Sequence, residues 1–139
     1  MDLRKKNRIL VIEDDEYFRF LLRMHLTQAG YEVRVAEDGV DGGKALLAQP
    51  PDLILSDLNM PFLNGFDLLT LLKQDAATAS IPVILLTGSR DNDVLAKAMA
   101  LGAADFLAKP VTQDDLLSAV EGCLRRSGRL GGKTAPPDL

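Results

Sequence analysis

Acidic, hydroxyl and ammonium side chains recur in this 139-residue sequence at one kind of place, the end of a short apolar run. Glu13, Asp14 and Asp15 follow Ile9-Leu10-Val11-Ile12, and Asp57 closes a run that begins Leu53-Ile54-Leu55. Thr87 closes the run from Pro82 to Leu86, and Lys109-Pro110 follows the run from Ala104 to Ala108. Clustered carboxylates supply hard oxygen ligands, which suit Mg²⁺ held by a few acids and several waters. Without a cation, such acids raise one another's pKa and disfavour the fold. A carboxylate can also attack phosphorus to give an acyl phosphate. A lysine can then reach a phosphoryl oxygen as a compact point charge. Asp57 is the candidate nucleophile, and Thr87 and Lys109 are candidate phosphoryl ligands.

Each group alone has a plainer explanation. Acids at strand ends are common loop residues, and a lysine in such a place is ordinarily a solvated surface residue. Thr87 has a residue type that favours strands for packing reasons. Phe106, three residues before Lys109, is a core aromatic by default, although partial exposure on an edge strand would let it swing between two rotamers. Occurring together at four strand ends, these residues favour a shared phosphoryl and metal site.

They share a site only if the apolar runs are neighbours in a parallel sheet, whose strands bring their carboxyl ends to one edge, where ligands bind. The runs at Ile9, Leu53 and Val83 are continuous rather than alternating, as strands covered on both faces require. Tyr31 to Ala36 alternates, which fits an edge strand. Between the strands lie helical segments: Glu16 to Ala29 with Phe18, Leu21, Leu22, Leu26 and Ala29 on one stripe, and then roughly Val40 to Ala48, Phe66 to Lys73 and Asn92 to Leu101. Thr112 reads as the N-cap of a last helix that turns Leu116, Leu117, Val120 and Leu124 inward. Five strands alternating with five helices predict a single doubly wound α/β domain with an all-parallel sheet of the flavodoxin-like type.

Hydrophobic residues at 47% and charged residues at 26% are the balance of an ordinary soluble globular chain. A net charge of −4 argues against a nucleic-acid surface on the domain as a whole. Two basic clusters, one from Arg4 to Arg8 and one of Arg125, Arg126, Arg129 and Lys133, read as solvated termini, with a DNA-binding arm as the minority reading. No long apolar span or signal peptide is visible, and the lone Cys123 fits a reducing cytoplasm, as an inert, partly buried thiol. After Ser127 the periodicity is lost, so 127–139 read as a flexible tail or the start of a linker.

Asp57-Leu58-Asn59-Met60-Pro61, followed by Asn64-Gly65 and then by Thr87 and Lys109-Pro110 at matching intervals, resembles the receiver (CheY-like) domain of two-component response regulators. The resemblance covers about residues 7 to 126. In that family an acid pair stands six and five residues before a commonly basic helix position; counting back from Arg19 gives Glu13 and Asp14, with Asp15 just outside. The resemblance implies that a histidine kinase or phosphotransfer protein phosphorylates Asp57. It implies that Mg²⁺ is held by Asp14, Asp57 and the main-chain carbonyl of Asn59, with Glu13 acting through water. Thr87 and Lys109 would bind the phosphoryl group, and Phe106 would be the switch aromatic. Asn59 and Ser89 occupy positions that tune the lifetime of the acyl phosphate. The phosphorylated domain would reshape the face of its fourth helix, fifth strand and fifth helix towards an output domain or target, with a homodimer through that face also open.

Other function classes fit less well. A metal-dependent phosphohydrolase, in which an aspartyl phosphate is only a turnover intermediate, usually has a second acid two residues after the nucleophile and a covering cap. Here Asn59 fills that position, and no segment is left over for a cap. A nucleotide-binding module lacks a Gly-rich phosphate loop after the first strand. An interaction module that is never phosphorylated leaves the charged cluster unexplained.

Overall fold

The computed structural model of the chain describes residues 6–60, 63–88 and 91–132. Arg4, Lys5 and Lys133 of the basic clusters, Pro61 of the Asp57 motif and Ser89 lie outside these residues.

Strands β1 (Arg8–Ile12), β2 (Glu32–Ala36), β3 (Leu53–Asp57), β4 (Val83–Thr87) and β5 (Asp105–Ala108) form one parallel sheet in the order β2-β1-β3-β4-β5. Helices α1 (Glu16–Gln28), α2 (Gly39–Ala48), α3 (Gly65–Gln74), α4 (Asn92–Ala100) and α5 (Gln113–Arg126) connect them, as the alternation of runs predicts. Side chains alternate across a strand, so each apolar run serves two cores at once. Leu10, Ile12, Ile54, Val83 and Leu85 pack on one face with Leu68, Leu69 and Leu72 of α3 and Ala98 of α4. Ile9, Val11, Leu53, Leu55, Ile84 and Leu86 pack on the other with Leu22 and Leu26 of α1 and Leu116, Val120 and Leu124 of α5. Cys123 is buried in this second core, and burial pushes its thiol pKa up, which leaves it inert near neutral pH. Only β2 alternates between exposed and shielded positions, as its place at the sheet edge requires.

Helix starts follow a common chemistry. Asp38, Asn64 and Thr112 each accept a hydrogen bond from the backbone amide three residues on, satisfying donors that the first turn leaves unpaired. Helix α2 lies unusually close to the sheet. A β-carbon on Gly42 would stand 2.5 Å from Ile12 Cδ1, and one on Gly39 would stand 2.6 Å from Leu63 Cβ. The β2–α2 connection is thereby held against the loop that follows Asp57.

Beyond α5, where composition alone reads as a tail, residues 128–132 lie across the amino ends of the strands. Asn7 Nδ2 donates to the Arg129 carbonyl (2.6 Å) and to Asp52 Oδ2 (3.1 Å), and its Oδ1 accepts from the Gly131 amide (2.6 Å). Arg129 reaches Ser80 Oγ at 3.1 Å, and Leu130 packs against the second core. Gly131 sits at φ +73°, a conformation that side chains oppose. Asn7 is 4% exposed, so Asn7→Ala leaves buried backbone groups unpaired and is expected to cost about 1–3 kcal/mol in urea denaturation, with faster hydrogen exchange at Gly131.

Candidate functional site

In the strand order β2-β1-β3-β4-β5, the connections from β1 and β3 leave in opposite directions, and a crevice opens between their carboxyl ends. Glu13 and Asp14 leave β1 on one side of that crevice, and Asp57 is the last residue of β3 on the other. Glu13 is fully buried, Asp57 is 4% exposed and Asp14 faces solvent. A carboxylate oxygen from each of the three lies within 4.8 Å of the other two.

Lys109 closes the site from β5. Its Nζ lies 2.7 Å from Glu13 Oε1 and 3.2 Å from Asp57 Oδ1. Its backbone is seated at the end of β4 by the Lys109 amide, which donates to the Thr87 carbonyl at 2.8 Å; the Lys109–Pro110 peptide is cis. Thr87, 1% exposed, ends β4 beside Ala108. Phe106 pairs with Leu85 in the sheet and is half-buried against the first core. Asn59 is exposed in the loop two residues beyond Asp57.

Burial pushes the Glu13 carboxyl up to about 7; the hydrogen bond from Lys109 opposes the rise, and the Asp57 charge adds to it. Burial pulls the Lys109 pKa down, but its bond to Glu13 and the neighbouring Asp57 and Glu13 charges outweigh that pull and leave it raised. One ammonium therefore serves two buried carboxylates, with Asp14 adding a third acid at the rim. That donor set is all hard oxygen with uncompensated negative charge, and it fits a small divalent cation such as Mg²⁺.

Asp15 has a different job. Its carboxylate accepts from the Phe18 amide at 2.9 Å and caps α1. An acid immediately before a helical run, aimed at the backbone amide three residues on, is the signal for this role, and it is easily hidden by two other acids alongside. Arg19 supplies a further anchor that residue types alone did not reveal. Its Nη1 donates to the Glu13 carbonyl at 2.8 Å, and Nη2 lies 3.8 Å from Glu37, tying the β1–α1 turn to the β2–α2 turn. Asp15→Ala is expected to lower stability by about 1 kcal/mol and leave Mg²⁺ affinity nearly unchanged. Asp14→Ala is expected to do the reverse, weakening Mg²⁺ binding at least tenfold in a calorimetric titration.

The sequence profile described as the response regulator receiver domain matches residues 9–121. PilH of Pseudomonas aeruginosa is 36% identical over 117 residues, covering 84% of this chain and 97% of that protein. The DNA-binding dual master transcriptional regulator RpaA of Synechocystis is 37% identical over 123 residues, 88% of this chain but 51% of the regulator. The chain thus spans about half the length of several curated relatives that it matches. Among solved structures, the chemotaxis response regulator CheY4 of Vibrio cholerae superposes with a TM-score of 0.82 at 28% identity, covering 86% of this chain and 100% of that one.

Proposed function

Because this chain belongs to the response regulator receiver domain family, we propose that Asp57 accepts a phosphoryl group from a phosphohistidine on a sensor histidine kinase or phosphotransfer protein. An Asp57 carboxylate oxygen attacks phosphorus in line, the P–N bond to the donor histidine breaks, and the imidazole leaves with its electron pair and takes up a proton. The observation that carries this reading is the position of Lys109 Nζ, 3.2 Å from Asp57 Oδ1 and 2.7 Å from Glu13. An ammonium there is placed to stabilise charge on the transferred oxygens.

Asp14, Asp57 and the Asn59 carbonyl would hold Mg²⁺, with Glu13 acting through water. Bound there, the ion supplies charge neutralisation for the phosphoryl oxygens. Thr87 offers its hydroxyl from the end of β4, and Phe106 is the neighbour whose packing would follow the movement of Thr87. Asn59 and Ser89 would set how readily water reaches the acyl phosphate, so that the domain also catalyses its own dephosphorylation. It turns over no other substrate.

The output is a shift between two packings of the α4, β5 and α5 face, read by an attached output domain, a separate target or a second copy of the chain. No helix among the described residues is long and apolar enough to cross a membrane, and a cytoplasmic location suits a partner kinase that draws on ATP. The test is intact mass after incubation with Mg²⁺ and a small acyl phosphate donor. A gain of about 80 Da, one phosphoryl group, that disappears in EDTA is expected. No gain, together with no binding of beryllofluoride, would reduce the chain to a receiver-shaped interaction module.

A further inference from the structure

Phe18 reads from sequence as one more apolar residue on the inward stripe of α1, and it does pack at the margin of the second core. It has a second neighbour. Lys109 Nζ lies 4.8 Å from the centre of the Phe18 ring, within the range where a cation is attracted to the face of an aromatic. We propose that Phe18 is a positioning residue for Lys109, holding its ammonium over the site while the carboxylates around it change partners. The inference rests on the phosphorylation reading of the same site.

The argument turns on which contacts of Lys109 persist. In the structure the ammonium is shared by Glu13 at 2.7 Å and Asp57 at 3.2 Å. Both carboxylates belong to the acid cluster that would hold the cation, and Asp57 loses its negative carboxylate when it becomes an acyl phosphate. Metal binding and phosphorylation therefore both draw on the partners that fix Lys109. The Phe18 ring is withdrawn by neither. The attraction acts out to about 6 Å from the ring centre, which leaves the ammonium, at 4.8 Å, room to shift from a carboxylate towards a phosphoryl oxygen while still held by the ring. Phe18 is placed for this by the local chain. Asp15 caps α1 through the Phe18 amide itself, so the helix that carries the ring is tied to the loop that carries Glu13 and Asp14.

The test replaces Phe18, site-specifically, with mono-, di- and trifluorophenylalanine, which drain the ring's negative face while keeping its shape. Phe18→Leu serves as the packing control. Beryllofluoride affinity in Mg²⁺ is expected to fall stepwise along the series, by about three- to fivefold at the end. In the metal-free protein the Lys109 ε-methylene protons are expected upfield of their ordinary position through the ring current, and to lose that shift in Phe18→Leu. Beryllofluoride binding that stays level along the fluorinated series, or Lys109 protons without an upfield shift, would overturn the role and leave Phe18 as packing only. Failure of the unsubstituted protein to take up beryllofluoride would instead overturn the phosphorylation reading, and this role with it.

Discussion

Asp57→Asn is expected to abolish the Mg²⁺-dependent mass gain of about 80 Da altogether, because an amide offers no anionic nucleophile to phosphorus. The same substitution should stabilise the metal-free protein. Glu13 and Asp57 are both buried and share the single Lys109 ammonium, so converting one carboxylate to a neutral amide relieves repulsion while keeping a hydrogen-bond acceptor for the lysine. A gain of about 1–2 kcal/mol in urea denaturation under EDTA is expected, shrinking when Mg²⁺ is added. Phosphate found on another residue of the variant would remove Asp57 as acceptor. A variant that is less stable in EDTA would mean that the two buried carboxylates are not in conflict.

Lys109→Met is expected to cause the largest stability loss at the site. It removes the cation and leaves Glu13 and Asp57 buried against each other, a situation that ordinarily costs about 3–5 kcal/mol. The loss depends on pH in a definite direction. Glu13 is raised from an ordinary 4.5 to about 7 in the folded protein, so between those values the folded state binds the extra proton. The stabilising contribution of that proton is complete below the lower value and is lost as pH rises through the upper one. Without Lys109 the folded-state value climbs further, because the bond that opposed the rise is gone. The variant should therefore lie near the parent at about pH 5.5 and fall well below it at about pH 8.5, with Mg²⁺ restoring part of the difference. Phosphorylation from the small donor should drop at least tenfold at either pH. Equal stability of variant and parent at the alkaline end would show that the ammonium does not compensate the acid pair.

The β1, β3 and β4 runs, and the chemistry at their ends, were legible because parallel strands covered on both faces have no polar positions to blur the pattern. The rule that parallel strands bring their carboxyl ends to one edge is enough to put Asp57, Thr87 and Lys109 on that edge. What stayed hidden depended on contacts between distant residues or on competition among neighbours. Asp15 was obscured by Glu13 and Asp14, since three acids in a row look alike until one backbone amide claims one of them. The cap at Asp38 stayed hidden because Asp-Gly marks a turn and a helix start equally well. The close approach of α2 through Gly39 and Gly42 is set by Leu63 and Ile12, partners that glycine itself cannot announce. Residues 128–132 read as tail because glycine-rich composition resembles a linker, while Asn7, Asp52 and Ser80, which hold them, are scattered through the chain.

The hold that Asn7 exerts on residues 129–131 has a practical side. Asn7, Asp52 and Ser80 stand where the strands begin, and Asp57 and Thr87 stand where they finish, with β4 alone spanning about 13 Å from Val83 to Thr87. A fluorescent label, an affinity handle or a fused module attached after residue 132 would start out beneath the sheet. Such an attachment begins at the amino ends of the strands, on the side of the sheet opposite the edge that carries Asp57, Thr87 and Lys109.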